Sequence, residues 1–149
     1  MITIENNKYP LKLNGTIMQD GSNLRIIYSN DLINYYLWHI ENYYQFSINT
    51  PAHGSHTTIV SSKLHPSISK DALKKYHGKK ITIFYDPHIR MGGQTKNFRN
   101  FYIKIYSDEL NSIAKEIGVL PAKIGWHITI ANTKSGIRPF FKKLISLKK

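Results

Sequence analysis

Two short runs of this sequence combine a histidine with a threonine two residues later. The first run, HTTI, begins at His56, and the second, HITI, begins at His127. Both are rich in β-branched residues, which are typical of strands, and side chains two residues apart lie on the same face of a strand. The sequence therefore predicts that His56 shares a strand face with Thr58, and that His127 shares one with Thr129.

Two such pairs suit the cleavage of a phosphodiester. The reaction needs a base for the attacking hydroxyl and an acid for the departing oxygen, and two imidazoles can fill both roles near neutral pH. Threonine hydroxyls can donate hydrogen bonds to phosphate oxygens, where charge builds in the transition state. One His-x-Thr run on a strand is usually structural, whereas two copies half a chain apart favour catalysis.

Strands and helices alternate irregularly around these motifs. Before the first motif, the sequence predicts two strands joined by a turn at Asp20 and Gly21, and then a helix, NDLINYYLWHIENYY, capped by Ser29 or Asn30. Between the motifs it predicts a short helix, the strands KKITIFYD and FRNFYIKIY with the loop PHIRMGGQTKN between them, and the helix DELNSIAKEIG. Ser69 and Ser107 are the expected N-caps of those two helices.

This order predicts an α+β fold in a single domain over residues 1–149. Each half has a helix followed by a strand that carries His-x-Thr, which we interpret as an internal duplication. We therefore expect two pseudo-symmetric lobes of antiparallel sheet with helices, and a central cleft between them. The basic tail, 137–149, is predicted to be a packed strand with a frayed end. An amphipathic membrane-surface segment or an RNA-binding arm is the alternative for it.

The composition narrows the classes of partner and chemistry. Twenty-one Lys and Arg residues against nine Asp and Glu give a net charge of +12, which favours phosphate-rich ligands. The chain has no cysteine, so disulfides, thiolate metal sites and cysteine nucleophiles are excluded. The sequence shows no apolar run long enough to span a membrane and no signal peptide, and we expect a cytoplasmic protein without a membrane partner. It indicates no protein partner.

The segment around Gly92 and Gly93 contains further candidates for ligand binding. The glycines let the backbone approach a ligand closely. Lys96, Arg90 and Asn100 are candidates for phosphate contacts, and Tyr102 is a candidate for stacking on a base. A zinc site of His53, His56 and His127 is conceivable, but it would leave the threonines unexplained. We therefore expect neither a metal nor a cofactor.

Larger parts of the sequence resemble a known family. HTTI and HITI match the paired motifs of the 2H phosphoesterase superfamily, whose members have two α+β lobes with the motifs facing across a cleft. The segments NDLINYYLWHIE, TPAHGSHTTI, YDPHIRMGG and WHITIANTK resemble the phage anti-CBASS phosphodiesterases, which cleave cyclic di- and trinucleotide signals of bacterial defence. This resemblance implies that the catalytic set is His56, Thr58, His127 and Thr129.

The resemblance also implies a reaction, with one departure in the binding residues. A ribose 2′-hydroxyl attacks its own 3′ phosphate and opens a 3′–5′ linkage of the ring, without metal, in the host bacterial cytoplasm. Where the family has an aromatic residue that holds a base, this chain has Met91, which can pack on a base but stacks less specifically. Two alternatives stay open: an enzyme acting on 2′,3′-cyclic phosphate ends of RNA, and a basic nucleotide- or RNA-binding module without catalysis.

Overall fold

The computed structural model describes residues 9–44, 54–95 and 98–132. Within these ranges the chain is α+β, as predicted, and its sheet strands pair in antiparallel fashion. In chain order the elements are β1 (Leu11–Asp20), β2 (Asn23–Ile27), α1 (Asp31–Tyr44), β3 (His56–Val60), α2 (Lys70–Leu73) with a 3-10 turn (Lys74–Tyr76), β4 (Lys80–Tyr85), β5 (Arg90–Thr95), β6 (Phe98–Tyr106), α3 (Asp108–Ile117) and β7 (His127–Asn132).

The chain divides into two compact units that alternate along the sequence. The first unit consists of the chain up to Tyr28 together with His56–His88 and Ile103–Ile128. The second consists of Ser29–Ser55, Ile89–Tyr102 and the chain from Thr129 onward. The units are thus not two consecutive halves of the sequence. The single domain and the pseudo-symmetry of two lobes remain predictions.

The first unit is built on a sheet in which β1 lies between β2 and β4. Strand β3 pairs with β2, and the end of β4 pairs with the end of β6, where Tyr85 lies opposite Ile105. The backbone N–H of Ile105 also donates to the carbonyl of Trp126, at 3.0 Å, directly before β7. Alternate side chains of these strands form a core that water does not reach, and it includes Ile17, Leu24, Ile26, Ile81, Ile83, Ile103 and Ile128.

The predicted turn and helix caps of the first unit are confirmed. Gly21, between β1 and β2, has a φ of 59°, a left-handed conformation that glycine adopts without strain. The Oγ atom of Ser69 accepts from the backbone N–H of Ala72 at 3.2 Å and so caps α2. The Oγ atom of Ser107 accepts from Leu110 N–H at 3.1 Å and caps α3 in the same way.

Helix α1 belongs to the second unit and begins where its sequence predicts. The Oγ atom of Ser29 accepts from the backbone N–H of Asp31 at 3.3 Å, which satisfies one donor of the first turn. Ile33 and Tyr36, on the predicted apolar face, are buried. No helix within the described ranges has the length and apolarity needed to cross a membrane.

The predicted loop between the strands of β4 and β6 is wrong in its central part. Residues Arg90–Thr95 form strand β5, which pairs in antiparallel register with the first half of β6. The two glycines in this segment have low strand propensity, so the sequence indicated a loop. The backbone ladder to β6 stabilises the strand regardless of that propensity, because its hydrogen bonds need no side chain. The predicted strand or arm of the tail, 137–149, lies outside the described residues.

Candidate functional site

The first motif lies on β3 and is anchored through its middle residue. Thr57 is 1% exposed, and its hydroxyl forms a buried hydrogen bond of 2.8 Å with the hydroxyl of Tyr28. Burial raises the pKa of Tyr28 well above that of an ordinary phenol, so the hydroxyl stays protonated. The flanking residues of the motif point to the other face, where His56 is half-buried and Thr58 is exposed.

The ring of Tyr28 fits against the sheet because β1 has a glycine there. A Cβ atom on Gly15 would lie 2.9 Å from the Tyr28 ring and 2.5 Å from Cγ2 of Ile26. Both distances are shorter than real contacts of a Cβ atom, and both neighbours are buried. Gly15 therefore provides the space that lets Tyr28 reach Thr57.

A β-bulge ends the exposed face of the first motif at Thr58. In the pairing of β2 with β3, Leu24 lies opposite Val60, whereas the next residue, Arg25, lies opposite Thr58. Ile59 is thus an additional residue on β3, and it interrupts the alternation of side chains. As a result Ile59 and Val60 are both buried, at 1% and 0% exposure, directly after the exposed Thr58.

The second motif lies on β7 and follows the predicted alternation. Ile128 and Ile130 are fully buried, whereas His127 and Thr129 on the opposite face are half-buried. The entry to the strand is fixed by Trp126, which is 8% exposed and donates its Nε1–H to Oδ1 of Asn111 at 2.9 Å. Helix α3, which contains Asn111, thereby positions the start of β7.

The imidazole of His127 has a defined tautomer. Its Nδ1 atom lies 2.9 Å from the carbonyl oxygen of Gly125, which can only accept, so Nδ1 carries a proton and donates it. In the neutral ring the lone pair is therefore on Nε2. Burial lowers the pKa of His127, and the hydrogen bond to Gly125 opposes this effect only in part. The ring is thus neutral at pH 7, with a basic nitrogen at Nε2.

A cavity of about 420 Å³ in the first unit is lined by one residue of each motif. Thr58 of the first motif and His127 of the second both line it. His56 precedes Thr58 on the same face of β3, and the structure does not place it in the cavity lining. The other lining residues are Ile59, Ser61, Leu64, His65, Leu120, Pro121, Ala122, Gly125 and Trp126. This volume is within the range of about 300–1,000 Å³ that is typical of small-molecule sites.

The cavity also has an apolar rim. Leu64 follows β3, and Leu120 follows α3, and their exposed fractions are 71% and 82%. Residues this apolar are normally covered, and here two of them line the same opening together with Pro121. The cavity therefore offers polar groups from the motifs beside an apolar surface that could hold a flat ring.

The sequence did not identify His65, although it lines the cavity. It lies in a turn seven residues after Thr58, within HTTIVSSKLH, and has no motif around it. Its backbone N–H donates to the carbonyl of Ser61 at 2.7 Å, and its Nδ1 accepts from the N–H of Ser61 at 3.2 Å. A histidine five residues after a motif strand was the available signal, but only the fold shows that its turn meets the segment before β7.

An arginine near the first motif was also missed. Arg25 lies directly opposite Thr58 in the pairing of β2 with β3, so the two side chains share a face of the sheet. Its side chain is 15% exposed, and its guanidinium lies 3.6 Å from the carboxylate of Asp20. Arg25 thus adds positive charge beside the motif, while Asp20 partly neutralises it.

The other predicted binding residues lie mostly on the hairpin of β5 and β6, in the second unit. Arg90 pairs with Tyr102, Met91 pairs with Phe101, and Gly92 pairs with Asn100. The hairpin thus places Arg90, Asn100 and Tyr102 on one face, whereas Met91 lies on the other face. Met91 is 58% exposed, whereas Tyr102 is 8% exposed and presents little of its ring to a ligand. Lys96 and His53 lie outside the described residues.

The described residues contain no group of three or more His, Asp or Glu side chains arranged to hold a metal ion. Comparison with known proteins gives no relative: no family model, no curated protein and no solved structure matches this chain. Its fold and site therefore have to be interpreted from their own geometry.

Proposed function

We propose that this chain is a metal-independent phosphodiesterase that cleaves 3′–5′ linkages of cyclic di- and trinucleotides. The observation that carries this proposal is that Thr58 and His127, from motifs half a chain apart, line one cavity. Core packing does not require this, since the buried faces of β3 and β7 already consist of other residues, such as Ile59 and Ile128. Polar side chains that line a common cavity without a role in core packing are typical of a functional site.

His127 suits the role of general base. Its Nδ1–H is held by the carbonyl of Gly125, so Nε2 accepts a proton when the ring is neutral, and burial favours the neutral ring. In the proposed reaction Nε2 takes the proton of a ribose 2′-hydroxyl, whose oxygen attacks the adjacent phosphorus. The bond from phosphorus to the 5′ oxygen breaks, and that oxygen is protonated by His56, the other histidine of the catalytic set that the resemblance implies. The products are a 2′,3′-cyclic phosphate and a free 5′-hydroxyl.

The hydroxyl of Thr58 supports the same reaction at the phosphate. It is exposed on β3 and lines the cavity, so it can donate to a non-bridging oxygen on which charge builds. The family resemblance gives Thr129 the corresponding role. The apolar rim at Leu64 and Leu120 suits a nucleobase, and the net charge of +12 favours an anionic ligand.

The biological setting is part of the proposal and depends on the sequence resemblance alone. We propose that the chain acts in the cytoplasm of a bacterium during phage infection and removes the nucleotide signals of CBASS defence. Cleavage of the ring would deprive the defence effector of its activator. Neither a membrane nor a protein partner is needed for this activity, and RNA remains a second candidate substrate.

The decisive experiment is a substrate panel with product analysis by chromatography in EDTA. The panel contains 3′,3′- and 2′,3′-linked cyclic dinucleotides, a cyclic trinucleotide, and an RNA with a 2′,3′-cyclic phosphate end. We expect cleavage of the cyclic oligonucleotides by the wild type, loss of cleavage in His56→Ala and His127→Ala, and retention in His77→Ala. His77 is the matched control because it is an exposed histidine that does not line the cavity.

The other outcomes separate the alternatives. Opening of the RNA end alone would assign the chain to RNA processing. Binding of the nucleotides without turnover would indicate a binding module, and His127→Ala would then weaken binding instead of abolishing a reaction. Loss of cleavage in EDTA that zinc restores would contradict the metal-free mechanism.

A further inference from the structure

The turn that follows β3 places a third histidine at the cavity, in addition to those of the two motifs. His65 lines the cavity together with Thr58 and His127. It is half-buried, which is enough contact to fix the ring and leaves part of it accessible to a ligand.

Hydrogen bonds at two points of its turn fix the position of His65. The residue exchanges two hydrogen bonds with Ser61: its backbone N–H donates to the Ser61 carbonyl at 2.7 Å, and its Nδ1 accepts from the Ser61 N–H at 3.2 Å. The next residue of the turn, Ser62, donates its N–H to Oδ1 of Asn23 at 3.0 Å, which ties the turn to the start of β2. A ring held in this way loses little further freedom when a ligand binds.

The contact with Ser61 also fixes the tautomer. A backbone N–H only donates, so Nδ1 of His65 holds the lone pair, and the proton of the ring is on Nε2. This is the reverse of His127, where Nδ1 donates to Gly125 and Nε2 holds the lone pair. The cavity thus has one imidazole that accepts at Nε2 and another that donates at Nε2.

We propose that His65 is a ligand-binding residue, whose Nε2–H donates a hydrogen bond to an anionic phosphate oxygen of a nucleotide in this cavity. The role deepens the proposed function, on which it rests, because it orients the phosphate that the ribose 2′-oxygen attacks. Donation to a charged acceptor is among the stronger hydrogen bonds in proteins. His65 takes no part in the proton transfers.

Two substitutions separate binding from the structural role of the ring. His65→Asn places an amide oxygen where Nδ1 accepts from Ser61, so it keeps the turn and removes the Nε2–H. His65→Gln places an amide N–H near the position of Nε2, so it keeps a donor and loses the contact with Ser61. The control is His77→Asn, since Nδ1 of His77 also accepts a backbone N–H, that of Gln19 at 2.9 Å, away from the cavity.

The test measures binding of adenosine 3′-monophosphate by calorimetry, and cleavage of a 3′,3′-cyclic dinucleotide. We expect His65→Asn to weaken binding and raise KM by about 10- to 100-fold, the usual effect of losing a hydrogen bond to a charged group. Its kcat and Tm should stay near those of the wild type. His65→Gln should bind more tightly than His65→Asn although its Tm is lower, and His77→Asn should bind like the wild type.

Each contrary result has a definite meaning. Wild-type affinity in His65→Asn, or no binding of adenosine 3′-monophosphate by the wild type, would overturn the role of His65. Weakened binding in His65→Gln with wild-type binding in His65→Asn would show that the ring only supports the turn. If the wild type binds the monophosphate through His65 but cleaves none of the cyclic substrates, the proposed function fails and the phosphate contact stands.

Discussion

The buried pair of Tyr28 and Thr57 gives the sharpest prediction about the first motif strand. Their hydroxyls are 2.8 Å apart, and the two residues are 5% and 1% exposed, so water cannot replace a lost partner. Thr57→Val leaves the Tyr28 hydroxyl buried without Oγ1, and Tyr28→Phe does the same to Thr57. Each substitution should lower the free energy of unfolding by about 1–3 kcal/mol, the cost of a buried polar group that loses its hydrogen bond.

The double variant should lose much less free energy of unfolding than the sum of the losses in the two single variants. With both hydroxyls removed, neither partner is left unsatisfied, and such a replacement is often nearly neutral. The coupling free energy of this double-mutant cycle should therefore approach the sum of the two single costs, about 2–6 kcal/mol. Urea titrations followed by tryptophan fluorescence would measure it. A loss of 2 kcal/mol would lower Tm by roughly 4–8 °C for a chain of this length.

The control for this cycle is Thr82→Val. Thr82 is also on the sheet, on β4, and its Oγ1 donates to Oδ1 of Asn14 at 2.9 Å, but this bond is exposed to solvent. Water can replace the lost partner, and the substitution should cost clearly less than Thr57→Val. Additive effects of Tyr28→Phe and Thr57→Val, within about 0.5 kcal/mol, would refute the argument that this buried bond anchors the motif.

Three further predictions concern other parts of the first unit. Gly15→Ala should destabilise the fold by about 1–3 kcal/mol in denaturant titrations, because its Cβ would meet Cγ2 of Ile26 at 2.5 Å; unchanged stability would contradict this close packing. Ser107→Ala should cost about 1–2 kcal/mol by removing the cap on Leu110 N–H, and wild-type helicity and Tm would speak against it. Because burial lowers the pKa of His127 in the folded state, the unfolded chain binds a proton at this residue at a higher pH than the folded chain does. The free energy of unfolding should therefore fall as pH drops below about 6.5. In His127→Asn the amide N–H can still reach the Gly125 carbonyl, and the slope of stability against pH should decrease by at most about 1.4 kcal/mol per pH unit. An unchanged slope would show that other groups cause the pH dependence of stability.

The strand faces and helix caps of this fold were predictable because each depends on residues that are close together in the sequence. The alternation around His127 placed Ile128 and Ile130 in the core, and the serine before α3 gave its first residue. Strand β5 was not predictable in this way. Its glycines favour a loop, and only pairing with β6 makes the segment a strand.

The candidate site was predictable only in part, for a related reason. The histidines and threonines of the motifs could be found from their spacing. The cavity, however, is formed where the turn after β3 meets the chain between α3 and β7, and nothing in either segment indicates the other. Leu120 therefore had no signal of its own, and the signal for His65 was its position in the turn after β3. The sequence did not indicate the bulge at Ile59 either, because the bulge depends on the register between β3 and β2.

The middle residues of the two motifs have a consequence for the variation that this chain tolerates. In HITI the middle residue, Ile128, is packed among apolar side chains and needs only a residue of similar shape. In HTTI the middle residue, Thr57, is hydrogen-bonded to the hydroxyl of Tyr28, which directly follows β2 and precedes α1. Positions 28 and 57 should therefore change together, from Tyr with Thr to Phe with Val. Libraries randomised at both sites should recover these two combinations and lose the mixed ones.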